Sequence, residues 1–201
     1  MEVQTSGSTG VPKRIYIEKV RMRASARMTC DFLNLHQGDT ALLCMPLDFI
    51  AGKMMVVRAL ERGLELLSVE PSSHPLSKAS MTGIGNPPCI DFAAMVPLQV
   101  WNTLQVPEER EALCRIRHLI IGGGAISQAL EQELRTLPIN VWSSYGMTET
   151  LSHIALRRIT EDYYTPLPGI TLGQDQDGCL IIDAPHLCQE RLFTNDIARF
   201  T

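Results

Sequence analysis

The sequence predicts an α/β fold, a layered and mainly parallel sheet with helices, followed by a β-richer C-terminal part. Three observations predict it. Short apolar runs alternate with helix-length segments over about the first 145 positions, the pattern of a parallel sheet with crossover helices. Several of those runs end in glycine- or hydroxyl-rich turns. Beyond Glu149 the helix-length segments stop, and short strand-like runs follow with turn signals at Pro166, Pro168 and Asp177-Gly178.

The elements follow in order. Glu2 to Gln4 is the end of a strand, and Arg14 to Glu18 alternates polar and apolar residues, which predicts another. Lys19 to Leu35 contains neither Gly nor Pro, and Met22, Ala26, Phe32 and Leu33 follow helical spacing. Thr40 to Met45 reads as a buried strand that Pro46 ends. Ile50 to Arg62 predicts a second helix and Leu64 to Val69 a strand, after which Pro71 to Pro88 reads as a surface connection. Asp91 to Val96 is a strand, and Pro97 suits the first turn of a helix. His118 to Ile121 is a strand running into Gly122-Gly123-Gly124, and Ser127 caps a helix reaching Leu137. Asn140 to Ser143 leads into Tyr145-Gly146-Met147-Thr148-Glu149-Thr150, and His153 to Arg158, Gly178 to Asp183 and Arg191 to Thr194 complete the strands. This divides the chain into an α/β core over 1–150 and a β-rich continuation over 151–201.

The 201 residues suffice for one domain, with 45% hydrophobic and 20% charged residues, as in an ordinary globular protein. A net charge of −4 gives no broad basic face for nucleic acid. No apolar run is long enough to span a bilayer, and Thr, Ser and Gly stand where a secretory signal has its apolar core. A cytoplasmic protein of undetermined oligomeric state is the expectation. Six cysteines are scattered without C-x-x-C spacing, which predicts reduced and mostly buried thiols. The five histidines form no H-x-x-x-H pair, so no zinc site is expected.

Four segments carry chemistry. Thr5-Ser6-Gly7-Ser8-Thr9-Gly10-Val11-Pro12-Lys13 combines two glycines, four hydroxyls and a lysine. Glycines let backbone N–H groups face a polyanion, hydroxyls donate, and lysine adds a mobile charge. The Walker spacing is absent, because Val11 and Pro12 separate Gly10 from Lys13, and so is the G-x-G-x-x-G spacing. On composition alone this is a phosphate loop or a flexible linker. Gly122-Gly123-Gly124-Ala125 follows a strand and, alone, reads as a tight turn into a helix. Tyr145 offers a stacking ring, Thr148 a hydroxyl, and Glu149 hard oxygen for Mg²⁺. Thr194-Asn195-Asp196 places a carboxylate where it can accept ribose hydroxyls, or in a hairpin turn.

In their order and spacing these segments resemble those of the adenylate-forming enzymes, a family that includes acyl-CoA synthetases and luciferases. The family pattern has Thr at Ser8, Gly at Arg14 and Gly at Asn195. The resemblance implies that Thr5, Ser6, Gly7, Ser8, Thr9, Gly10 and Lys13 hold the phosphates of ATP. It implies that Gly123, Gly124 and Ala125 line the adenine and that Tyr145, beside Gly146, stacks on it. Thr148 would contact the α-phosphate, Glu149 would hold Mg²⁺, and Asp196 would bind the ribose. Lys13, Thr148 and Glu149 are the implied catalytic residues.

Within the family the resemblance runs to the bacterial o-succinylbenzoate–CoA ligases of menaquinone synthesis. It rests on Cys44-Met45-Pro46-Leu47 through Gly52, on Met95-Val96-Pro97-Leu98-Gln99 and on Gly146 through His153. Many relatives carry an aromatic-His pair where Asp48-Phe49 stands here. This implies an ATP-dependent acid–CoA ligase acting on a small carboxylic acid, with coenzyme A as co-substrate. Phe49, Arg58 and Gly122 are the implied acid-binding residues. For Arg58, contact with a second carboxylate competes with an ordinary solvated helix charge. Another acid, or a non-catalytic nucleotide-binding remnant, are the alternatives. The family's upstream region and mobile C-terminal domain are not found, so the expectation is a core piece of a larger enzyme.

Overall fold

The computed structural model describes residues 2–4, 14–84 and 89–201. Strands β1 (Glu2–Gln4) and β2 (Arg14–Tyr16) pair antiparallel, with Gln4 opposite Arg14. The phosphate-loop segment Thr5–Lys13 lies outside the described residues.

Helix α1 (Lys19–Phe32) ends earlier than its uninterrupted sequence predicts. The reason is local, because Asn34 takes a left-handed φ of 52°, which asparagine tolerates and a helix does not. Then follow β3 (Thr40–Leu43), α2 (Ile50–Arg62) and β4 (Glu65–Ser68). The expected surface connection holds a one-turn helix, α3 (Lys78–Met81), whose N-cap Ser77 accepts from the Ser80 N–H. Next come β5 (Ile90–Met95), α4 (Pro97–Leu104) and α5 (Pro107–Leu113), the last a separate helix that Pro107 opens. The remaining α/β elements are β6 (Ile116–Ile121), α6 (Gln128–Leu134) and β7 (Asn140–Gly146). The Ser127 side chain caps α6 as expected, accepting from Leu130 N–H.

A 3₁₀ turn at Thr148–Thr150 reverses the chain into β8 (His153–Arg158), followed by β9 (Thr165–Pro166). The main sheet has the order β4-β3-β5-β6-β7-β8-β9, parallel from β4 to β7 and antiparallel from β7 to β9. The β-rich continuation therefore begins inside the main sheet. A second, antiparallel sheet starts at β10 (Thr171–Gln174) and adds β11 (Cys179–Asp183) and β12 (Leu192–Ile197).

Two apolar clusters hold these layers together. One joins β3, β5, β6 and β7 to the helices, with Phe92, Leu119 and Ile121 at 1% exposure or less. The other joins the second sheet, through Leu180 and Ile182, to Met22, Ala26 and Met54. On α2, Met54 belongs to the second cluster and its neighbour Met55 to the first. Helices α1 and α2 thus form a middle layer with apolar contacts on two sides, and burying each such side chain contributes about 1.5–3 kcal/mol.

Gln99 ties the α4 end of the main sheet. Its carbonyl accepts from the Val96 N–H at 3.1 Å, while its amide donates to Cys44 O at 3.1 Å and to Ser72 O at 2.9 Å. Removing it leaves the buried Cys44 carbonyl, and the Ser72 carbonyl nearer the surface, without this donor. Gln99→Ala is expected to lower stability by about 1–3 kcal/mol, read as a reduced urea midpoint at unchanged slope.

Candidate functional site

The carboxyl ends of the parallel strands converge on one edge, where open α/β sheets place their ligands. After β3 come Met45, Pro46 and Phe49, the last half-exposed and preceding α2. After β5 comes Val96, and after β6 the run Gly122 to Ala125. Gly123 has a φ of +76° and packs by Val96, while Gly124 lies by Pro97. Gly123, Gly124 and Ala125 are exposed. A Cβ on Gly122 would come closer than 3.0 Å to Ser144 Oγ, which donates to Ile121 O at 3.1 Å.

Tyr145 and Gly146 are the last residues of β7, which runs past the predicted end at Ser143. Tyr145 is half-buried, and its hydroxyl donates to Asp196 Oδ2 at 2.5 Å. Burial, and then the adjoining carboxylate, push the Tyr145 phenol well above its ordinary pKa. Two expected nucleotide residues 51 positions apart therefore meet across the two sheets. Asp196 lies inside β12, and among the described non-glycine residues only Asn34 and Leu151 have positive φ. The Thr194–Asp196 segment is therefore not a hairpin turn but part of β12, in the stretch where its pairing with β11 shifts register.

Thr148 and Glu149 lie in the reversal. Thr150, fully buried, holds it. Its hydroxyl accepts from Met147 N–H at 3.0 Å and faces Met147 O at 2.9 Å and Ser152 O at 2.7 Å. The one hydroxyl proton is shared between those carbonyls. Leu151, buried with a φ of 66°, completes the turn and has no sequence signature that would predict it. The Glu149 carboxylate is exposed and pairs with no cation among the described residues, so its hard oxygens suit a Mg²⁺ ion.

Arg58 is not a solvated helix charge. It is 3% exposed, and burial pushes its pKa down to about 10. Its guanidinium donates to Ser152 Oγ at 2.7 Å, and Nε has no partner among the described residues. Behind Ser152 runs a chain that the sequence does not announce. Ser152 Oγ lies 3.3 Å from His153 Nδ1, and His153 Nε2 lies 3.0 Å from Thr29 Oγ1. Thr29 in turn donates to Ser25 O at 3.1 Å, a helical back-bond. With the Thr29 proton committed, Nε2 is the donor and Nδ1 the acceptor, a neutral imidazole. Burial, and then Arg58, hold the His153 pKa well below its usual value.

Other expectations can be placed directly. Cys30, Cys44 and Cys188 are buried thiols, Cys114 and Cys179 are half-buried, and Cys89 is exposed, so burial applies to half of the six. No group of three metal-ligating side chains occurs among the described residues. No described helix is long and apolar enough to cross a membrane.

A mainly parallel sheet with helices, joined to a second, antiparallel sheet by a tyrosine–aspartate contact, defines a layered α/β class. The chain belongs to the AMP-binding enzyme family, whose pattern matches residues 4–183. It is similar to the 2-succinylbenzoate–CoA ligase of Haemophilus influenzae, 28% identical over 77% of this chain and 32% of that protein. The ligase of the same description from Salmonella typhimurium is 27% identical over 82% of this chain and 34% of its own length. The chain thus spans about a third of the curated relatives it matches. Among solved structures, an acyl-CoA synthetase (AMP-forming)/AMP-acid ligase II-like protein from Dyadobacter fermentans superposes with a TM-score of 0.89. It is 36% identical over all of this chain and 57% of that one. An o-succinylbenzoate CoA synthetase from Bacillus subtilis, in complex with ATP and magnesium ion, shares the fold. Its TM-score is 0.77, with 22% identity over 94% of this chain and 42% of that one.

Two outcomes follow from this geometry. A Cβ on Gly146 would come closer than 3.0 Å to Ser152 O and to the His153 backbone. Gly146→Ala should therefore displace the reversal and lower the thermal midpoint, while Gly124→Ala, with only ordinary contacts to Pro97, should not. The second concerns acid. His153 is neutral when folded and takes a proton when unfolded below its ordinary pKa, so the unfolded state binds more protons and stability falls as pH falls. Below about pH 6.5 the wild type should lose up to about 1.4 kcal/mol per pH unit that His153→Gln does not lose, measured by urea titration.

Proposed function

We propose that the chain carries the nucleotide-binding core of an ATP-dependent acid–CoA ligase, with o-succinylbenzoate as its acid. The observation that carries the nucleotide reading is the Tyr145–Asp196 contact, which brings the stacking ring and the ribose carboxylate to one place at the strand edge. Gly123, Gly124 and Ala125 supply an exposed backbone surface beside it for adenine. The relatives described as 2-succinylbenzoate–CoA ligases support the choice of acid and of coenzyme A.

In this reading the acid's carboxylate oxygen attacks the α-phosphorus of ATP. The α–β P–O bond breaks, and pyrophosphate leaves with that bonding pair. The thiol of coenzyme A then attacks the acyl carbon of the adenylate, and AMP leaves. The first step brings anions together, so the protein's task is charge and position. Lys13 and the backbone of Thr5, Ser6, Gly7, Ser8, Thr9 and Gly10 hold the β- and γ-phosphates, and Thr148 donates to the α-phosphate. Mg²⁺ bound to Glu149 would neutralise phosphate charge. Phe49 and Gly122 flank the acid. Arg58, buried with an unpartnered Nε and no carboxylate within ion-pair distance among the described residues, is the cation for the acid's second carboxylate.

Titration calorimetry with ATP and Mg²⁺ tests the nucleotide site. Losing a charged hydrogen bond costs about 1.5–3 kcal/mol, so Lys13→Ala and Glu149→Ala should each weaken binding by roughly 10- to 150-fold. Unchanged affinity in both would remove the site assignment. Pyrophosphate–ATP exchange with a panel of aromatic acids tests the reaction. Exchange with o-succinylbenzoate supports the acid, exchange with another acid replaces it, and ATP binding without any exchange favours a non-catalytic nucleotide-binding protein.

A further inference from the structure

The row of hydrogen bonds behind Arg58 has a direction, which the ligase reading does not use. Thr29 commits its proton to Ser25 O at 3.1 Å, so its oxygen accepts from His153 Nε2 at 3.0 Å. His153 Nδ1 is then an acceptor, and the Ser152 hydroxyl, 3.3 Å away, is the donor that fills it. With its proton turned to Nδ1, Ser152 Oγ presents lone pairs to Arg58 Nη2 at 2.7 Å. Each donor has one acceptor, from α2 through the reversal after β7 to α1. Thr29, His153 and Arg58 are all buried. The row occupies only one end of the guanidinium. Nη1 lies 4.0 Å from the Met55 sulfur, a weak acceptor, and Nε has no partner among the described residues.

We propose that Thr29 and His153 are positioning residues which, through the Ser152 hydroxyl, hold Arg58 in one pose for an anionic group of the acid. This rests on the reading of Arg58 as the cation for the acid's second carboxylate. An arginine that samples several rotamers loses entropy when it meets a carboxylate. One fixed in advance loses less, so more of the contact appears as affinity. A serine hydroxyl free to rotate can turn its proton toward the guanidinium and give up the bond. His153 holds that proton away, and Thr29 selects the imidazole tautomer that accepts from Ser152 rather than donating to it. The two residues act on which acid binds, not on the attack at phosphorus.

The test is calorimetry on the full chain with Mg²⁺ and the non-cleavable α,β-methylene analogue of ATP. The probes are o-succinylbenzoate and two analogues, one lacking the ring carboxylate and one lacking the chain carboxylate. The readout is the ratio of dicarboxylate to monocarboxylate affinity, which a general loss of folded protein leaves unchanged. Two amides divide the imidazole between them. In His153→Asn the amide oxygen stands near the Nδ1 position and accepts from Ser152, whereas in His153→Gln the amide nitrogen stands near Nε2 and serves Thr29. The wild type should prefer the dicarboxylate over one analogue by roughly 10- to 150-fold, and Arg58→Met should abolish the preference. His153→Asn should keep it, and His153→Gln should lower it by roughly 3- to 10-fold. Nitrogen NMR of the wild-type imidazole should place the proton on Nε2. An equal preference in the two His153 variants, a lower one in His153→Asn, or a proton on Nδ1 would overturn the positioning role and leave the Arg58 reading in place. A wild type with no preference for the dicarboxylate would remove the Arg58 reading, and the positioning role with it.

Discussion

The middle helical layer is the constraint on which the rest of this structure depends. Helices α1 and α2 are covered by the main sheet on one side and the second sheet on the other. A helix buried on two faces has little water to satisfy a polar side chain, and an unpaired polar group in such a place costs about 1–3 kcal/mol. Yet Ser25, Thr29 and Arg58 are buried there at 3% exposure or less. Ser25 Oγ and Arg58 Nε find no partner among the described residues, and the partners that Thr29 and Arg58 do find across the layer come from the reversal after β7. Ser152 receives Arg58, and His153 meets Thr29. The layer and the site loop therefore constrain one another. A residue that serves burial in α1 also fixes the orientation of an imidazole next to the candidate metal turn. The arrangement also accounts for the neutral state of His153, because burial penalises its charged form and a second cation beside Arg58 would be repelled.

The reversal does a second task. It turns the chain from the parallel part of the main sheet into its antiparallel edge, and a sharp turn of this kind strands backbone groups. Thr150 supplies the missing partners from a single buried hydroxyl, and Leu151 takes the left-handed conformation that closes the turn. Leucine in that region is strained by roughly 1–3 kcal/mol, and such strain persists where the surroundings over-determine the conformation. Here the surroundings are the second cluster, in which Leu151 is 3% exposed. The apolar burial of one side chain thus offsets the backbone strain of a turn that presents Thr148 and Glu149 outward.

Much of the architecture was legible because it is written locally. The alternation of strand-length and helix-length segments marked the parallel sheet, and Pro97 and Ser127 marked two helix starts where the structure has them. The pairing partners were not legible. That β8 joins the main sheet rather than opening the second follows from contacts of Tyr145 with Ala155 and of Ser144 with Leu156. No local pattern encodes those contacts. Site residues divide in the same way. Tyr145, Thr148, Glu149 and Asp196 stood out as chemistry-bearing types in a motif order. Thr29, Thr150 and His153 did not, because a threonine inside a helix or a lone histidine in a strand is unremarkable until its partner, 124 positions away in one case, is known. Asn195 shows the opposite failure. A turn residue by type, it lies inside β12, in the stretch where the pairing with β11 shifts register between Phe193 opposite Ile181 and Ile197 opposite Cys179.

Close approach at the carboxyl edge of the main sheet can be read from three glycines. A Cβ at Gly52 would strike the Pro46 backbone, one at Gly122 would strike Ser144 Oγ, and one at Gly146 would strike Ser152 and His153. These three follow or end β3, β6 and β7, all at the carboxyl edge of the sheet. Gly38, before β3 at the opposite edge, meets nothing within 4 Å and has a φ of +86°, so there the backbone angle alone selects glycine. The same residue type is therefore required for two different physical reasons at the two edges. At the amino edge it lets the chain turn. At the carboxyl edge it lets neighbouring backbone approach at Gly52 and Gly146 and makes room for the Ser144 side chain at Gly122. A closely packed edge that leaves Gly123, Gly124 and Ala125 open to solvent is what a flat ring needs if it is to be bound by shape and main-chain groups rather than by long side chains. The glycines thus belong to the same design as the Tyr145–Asp196 contact, one forming the floor of the edge and the other joining it to the second sheet.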